Sequence, residues 1–93
     1  MKKGKLIIEK KEYGFRIIIG KESYFINDEG SGWFALIIED KDGYAVDIVD
    51  DKYENLGAKN LNDLLCKLVL NPSEILDMLI GEKKDIEEIV ILY

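Results

Sequence analysis

The chain of 93 residues has no histidine, one cysteine (Cys66) and one proline (Pro72). Without an imidazole there is no Ser–His or Cys–His nucleophilic dyad and no histidine metal ligand. A single thiol closes no intrachain disulfide and builds no thiolate zinc cluster within one chain, which fits a reducing compartment. No phosphate-binding glycine motif is present. Gly30-Ser31-Gly32 is only a fragment of one, and it leads into a strand-like run rather than a helix whose N-terminus would receive a phosphate. No apolar stretch reaches the ~18–20 residues of a transmembrane helix. The first apolar run, Leu6-Ile7-Ile8, is too short for the hydrophobic part of a secretion signal. These absences predict a cytoplasmic protein that is not an enzyme, holds no cofactor or metal and does not enter a membrane.

Basic charge is also scarce. Nineteen acidic side chains against thirteen basic ones leave a net charge of −6. That balance disfavours direct nucleic-acid binding and anionic membrane surfaces, since phosphate contacts need clustered Lys and Arg. The one basic cluster, Lys2, Lys3 and Lys5, reads as a solvated terminal tail diluted by Glu9 and Glu12. An apolar content of 47% is that of a globular protein, and the length suits one domain over residues 1–93. The Ile- and Lys-rich, histidine-free composition is what an A+T-rich genome, microbial or viral, encodes. No motif carries a family resemblance.

The first half is rich in β-branched and aromatic residues punctuated by turn signals, the pattern of consecutive hairpins. Residues 5–10 and 15–20 flank the turn Lys11-Glu12-Tyr13-Gly14. Pairing Lys10 with Phe15 sets Ile8 opposite Ile17 and Leu6 opposite Ile19 on one face. It sets Ile7 opposite Ile18 and Glu9 opposite Arg16 on the other. A turn through Lys21-Glu22 and a strand over 23–27 then place Ile19 opposite Tyr24 and Ile17 opposite Ile26. Residues 28–32 read as a flexible loop. Strands over 33–40 and 44–50 enclose Lys41-Asp42-Gly43, which suits a type I turn with Gly43 at positive φ. That hairpin sets Ile38 opposite Val46 and Leu36 opposite Ile48.

The period then changes. Leu61, Leu64, Leu65 and Leu68 follow a helical stripe behind a capping Asn60. Cys66, near the edge of that stripe, reads as a small structural filler. Asn71-Pro72-Ser73-Glu74 is a second helix start, with Asn71 as cap, and Gly81 is its stop. The β-branched content of residues 86–93 favours a sixth strand over a helix. The expected fold is therefore α+β: a five-stranded antiparallel meander, joined by a C-terminal strand, with two helices packed on one face.

Two groups of residues are candidates for function. Ile7, Ile18, Phe25, Trp33 and Ile37 fall on the sheet face opposite the helices, mixed with charged residues, where a solvated face would alternate more cleanly. Three coverings compete for that face: the C-terminal segment or a loop, a second copy of the chain, or another protein. The leading expectation is a regulatory or inhibitory interaction module that binds a protein partner through this face and the 28–33 loop. The second group is acidic: Asp40, Asp42, Asp47, Asp50, Asp51 and Glu54. Arrayed along one rim, these carboxylates would mimic nucleic-acid phosphates and block a basic cleft, as phage-type anti-defence inhibitors do. Asp47 and Asp50 are also the pair a small metal-dependent enzyme would need. Asp40-Lys41-Asp42-Gly43 opens like a calcium loop, but its fifth and twelfth positions are Tyr44 and Asp51, and hairpin chemistry accounts for it.

Overall fold

Alternating apolar side chains and well-placed glycines pair the first half of the chain into hairpins, and helical stripes in the second half close one face of the resulting sheet. A computed structural model describes residues 4–93. Lys2 and Lys3 lie outside the described residues, while Lys5 is exposed within the first strand rather than in a tail. The elements are β1 (Gly4–Lys11), β2 (Gly14–Ile19), β3 (Glu22–Gly30), β4 (Trp33–Glu39), β5 (Ala45–Lys52), a 3-10 turn (Tyr53–Leu56), α1 (Leu61–Leu70), α2 (Pro72–Ile80) and β6 (Ile86–Leu92). The strand order is β5-β4-β3-β2-β1-β6. The first five strands form the antiparallel meander, and β6 adds to β1 in parallel. This is the expected α+β architecture. The chain leaves the sheet at one edge, crosses a face with its helices and returns as the other edge.

The β1–β2 register is the one the alternation predicts, with Lys10 opposite Phe15 and Glu9 opposite Arg16. The next hairpin is shifted by two. Ile17 pairs with Tyr24 and Phe15 with Ile26, because the turn is Gly20-Lys21 rather than Lys21-Glu22. Gly20 at φ 59° occupies the first central position, where a two-residue hairpin turn wants glycine. A two-residue shift keeps every side chain on its face. Residues 28–32 are not a loop either: β3 runs on to Gly30, and Ser31 and Gly32, both at positive φ, form the turn into Trp33.

The β4–β5 hairpin differs in a way that matters. The turn itself is as expected, with Gly43 at φ 85° and its N–H donating to the Asp40 carbonyl. A bulge beside it, between Ile38 and Glu39, then slips the register by one. Leu36 now faces Val49, Ile37 faces Ile48 and Ile38 faces Asp47. Since one residue of slip reverses the faces of a strand, Ile48 leaves the helix side for the open side. Val46 and Ile48, set opposite Ile38 and Leu36 in the expected register, are exposed.

The core lies on the helix side only. Leu6, Ile8, Phe15, Ile17, Ile26, Phe34 and Leu36 from the sheet meet Leu64, Leu68, Ile75 and Leu76 from the helices. Tyr53, Leu56 and Ala58 of the 3-10 segment complete it. Helices of ten and nine residues are marginal alone. Burying each large apolar side chain contributes about 1.5–3 kcal/mol, so packing rather than propensity holds them. Asn60 caps α1 as expected, accepting from the Asp63 N–H. Asn71 makes no side-chain cap: its backbone already serves both helices, its N–H donating to the Lys67 carbonyl and its carbonyl accepting from Ile75. Cys66 is exposed, not a core filler. Among the described residues, no helix is long and apolar enough to cross a membrane.

Candidate functional site

Strand alternation places one row of side chains side by side across all six strands on the open face: Ile48, Ile37, Phe25, Arg16, Glu9 and Leu92. A second row runs Glu39, Ser23, Ile18, Ile7, Val90. The five residues expected here, Ile7, Ile18, Phe25, Trp33 and Ile37, do share this face. Neither the helices nor the C-terminal segment covers it: the helices pack on the opposite core, and residues 86–92 form the edge strand β6. Covering by the chain's own terminus is therefore ruled out for the described residues.

Arg16 divides the face. Its Nε donates to Glu39 Oε1 at 2.7 Å and its Nη2 to Glu39 Oε2 at 3.2 Å, a two-pronged grip. Nη1 reaches Glu9 at 3.5 Å, and the guanidinium lies 5.6 Å from the Phe25 ring centre. Ser23 donates to Glu39 at 2.9 Å. This polar knot separates an apolar half on β3–β5 (Phe25, Trp33, Ile37, Ile48) from a smaller one on β6–β2 (Ile7, Ile18, Val90, Leu92).

The hydrogen bond from Arg16 holds the Glu39 carboxyl below the usual carboxylate range, with Ser23 adding to it and burial opposing. A lowered pKa means that the knot's contribution is complete above the unfolded carboxylate value of about 4.3 and is lost as pH falls through Glu39's own, lower value. The Glu39 carboxyl carbon, followed by NMR through an acid titration, should therefore show a midpoint below that of an unfolded glutamate. Arg16→Met should raise it; a wild-type midpoint at the ordinary value would show that the knot is not formed in solution.

Trp33, 43% exposed, stands between two grooves. One, of about 470 Å³, lies on the open face between Trp33, Ala35, Ile37 and Ile48, with Glu29 and Asp50 on its rim. The other, of about 460 Å³, lies at the sheet end between Trp33, Tyr53, Ala58 and Lys59. Lys52 Nζ sits 5.1 Å from the indole centre. The supporting turn is tied down: Asp28 Oδ1 accepts from the Gly30 N–H at 3.0 Å and from the Tyr53 hydroxyl at 3.1 Å. Burial, with Asp28 beside it, pushes the Tyr53 hydroxyl above its ordinary range, so it stays a donor.

Ile48 is the member of this surface that sequence reasoning missed, because the bulge that turns it outward has no side-chain signature. The acidic candidates do not share a rim. Asp47 and Asp51 pair with Ile38 and Phe34 on the helix side, whereas Asp50 pairs with Ala35 on the open face. Asp40 and Asp42 lie in the β4–β5 turn and Glu54 in the 3-10 turn. Asp47 and Asp50 point to opposite faces and do not converge on one ion. No three potential ligands cluster among the described residues. No protein-family model, curated protein or solved structure matches this chain.

Proposed function

We propose that this chain is a small non-catalytic interaction module, regulatory or inhibitory, that binds a protein partner through its open sheet face and the 28–33 turn. The observation that carries the reading is the apolar half of that face. Phe25, Trp33, Ile37 and Ile48 form a contiguous surface uncovered by any described element, beside a groove with acidic residues at its rim. Contiguous exposed apolar surface of this kind marks binding sites, and tryptophan is enriched at their energetic centres. Glu29 and Asp50 favour a partner whose apolar contact is flanked by basic side chains.

The test begins with affinity capture from the native host and identification by mass spectrometry. Against the purified partner, Trp33→Ala should weaken binding by about 2 kcal/mol, roughly 30-fold. Combining it with Phe25→Ser and Ile37→Ser should abolish binding with the far-UV spectrum unchanged. A triple variant that binds normally would refute this reading. Affinity should fall only modestly with added salt; a steep fall would favour an electrostatic contact through the acidic side chains instead.

A further inference from the structure

The two edges of the sheet are built differently, and the difference points to a second interaction. A free strand edge presents unpaired backbone N–H and C=O groups, which proteins commonly blunt with charges, bulges or local caps. The β5 edge carries such guards. The Tyr53 N–H donates to the Gly32 carbonyl, and ladder alternation from that bond turns the peptide groups of Ile48 and Lys52 to the free side. Asp50 between them turns outward too; of these three N–H groups two are taken by the preceding aspartate, Ile48 donating to Asp47 Oδ1 at 2.9 Å and Lys52 to Asp51 Oδ1 at 2.8 Å. The bulge near Ala45 bends the strand further.

The β6 edge is guarded only at its start, by the bulge where Gly4 faces Ile86 and Lys5 faces Glu88 and by the charges of Glu87 and Glu88. Residues 89–92 carry no charge, bulge or side-chain-capped N–H among the described residues. Its sequence, Ile89-Val90-Ile91-Leu92, is apolar on both faces, which is the composition of an interior strand rather than an edge. Ile89 and Ile91 lie beside Leu6 and Ile8 on the core side yet stay only partly buried. Val90 and Leu92 lie on the open face. The Gly4 N–H donates to the Asp85 carbonyl; alternation from there turns Gly4, Leu6 and Ile8 toward β6 and leaves the peptide groups of Ile89 and Ile91 directed outward.

We propose that this edge binds a second copy of the chain, β6 against β6, antiparallel about a two-fold axis at Val90. In that register Ile89 and Ile91 of the two copies exchange backbone hydrogen bonds and pack together on the core side, and the two Val90 side chains meet on the open face. Charge complements the pairing. The acidic end of one strand, Glu87 and Glu88, falls opposite Tyr93 and Leu92 of the other, where Lys10 Nζ stands 5.2 Å from the Tyr93 ring centre. The parallel alternative would set Glu87 and Glu88 against their own copies. The two six-stranded sheets become one continuous sheet of twice that width, with a Trp33 groove free at each far end. This inference stands apart from the proposed partner binding.

Light scattering on the eluting 93-residue chain should give about twice 10.7 kDa. Val90→Lys sets like charges directly opposite each other and should return the monomer mass, while Ile48→Lys on the guarded edge should remain dimeric. Hydrogen exchange on the wild type gives a readout independent of any variant's folding: the Ile89 and Ile91 amides should be protected at high concentration and lose protection on dilution. A monomeric wild type would overturn the proposal. So would a dimer that survives Val90→Lys and dissolves with Ile48→Lys.

Discussion

Replacing Gly14 by alanine is expected to cost about 3 kcal/mol or more. Gly14 begins β2 opposite Asn27 of β3. A Cβ at this position would lie 2.0 Å from the Ile26 carbonyl oxygen and 3.0 Å from its carbon. Both atoms are backbone, so no side-chain rotation relieves the contact. Strand β3 would have to move, yet it is hydrogen-bonded to β2 on one side and β4 on the other, and Phe15 and Ile26 are buried beside it. Overpacking of ordinary core positions costs about 1–3 kcal/mol, and an immovable neighbour belongs at the top of that range or beyond. Total stability for a domain of this size is about 5–15 kcal/mol, so the loss is a large fraction of it. The midpoint of thermal unfolding should fall by roughly 12 °C or more. Gly20→Ala is the informative comparison. Gly20 has open space around it and only its positive φ to lose, so that variant should cost about 1–2 kcal/mol. Equal losses at the two positions would show that the sheet accommodates the added carbon at Gly14.

Phe34→Ala should destabilise by about 3–5 kcal/mol, the range for emptying a buried aromatic site. Phe34 is buried between sheet and helices, and its ring lies against Tyr53 with centroids 5.1 Å apart. Tyr53 is the link from the sheet to the 3-10 turn and, through its hydroxyl, to Asp28 at the base of the Trp33 turn. Removing the Phe34 ring therefore loosens the anchor of the proposed binding surface as well as the core. Tyr53→Phe keeps the ring contact and loses only the hydroxyl bond to Asp28, at about 1 kcal/mol. Chemical unfolding of the two variants separates the contributions. If Phe34→Ala costs no more than Tyr53→Phe, the aromatic contact is not the anchor.

These residues also show what kind of information the sequence carries. Alternation around Glu12-Tyr13 specifies the β1–β2 register because slipping it would put Leu6, Ile8, Phe15 and Ile17 on the wrong face. The Gly20 turn moved the next hairpin by two, and nothing on the apolar face resisted, since a shift of two preserves the pattern. At β5 the pattern itself was weak: Val46, Ile48 and Val49 offer apolar residues to either face, so a bulge decided which face each took. Residues 52–59 gave little periodicity, and Tyr53, Leu56 and Ala58 were legible as core only once the chain was seen to turn under the sheet.

By itself the sequence determined most local properties: the cores of the strands and helices outside residues 28–30 and 53–56, where Asn60 and Gly81 bound the helices, the first register and the absence of histidine-based chemistry. These follow from period, turn residues and side-chain inventory, all read within about a dozen positions. Only the tertiary structure decided that residues 86–92 become an edge strand rather than a cover, that Arg16 splits the open face, and that Ile48 joins Phe25, Trp33 and Ile37. Each of those depends on pairing between distant parts of the chain, such as Leu6 with Ile89 or Arg16 with Glu39. A one-dimensional pattern holds no record of which of several compatible partners a strand will meet.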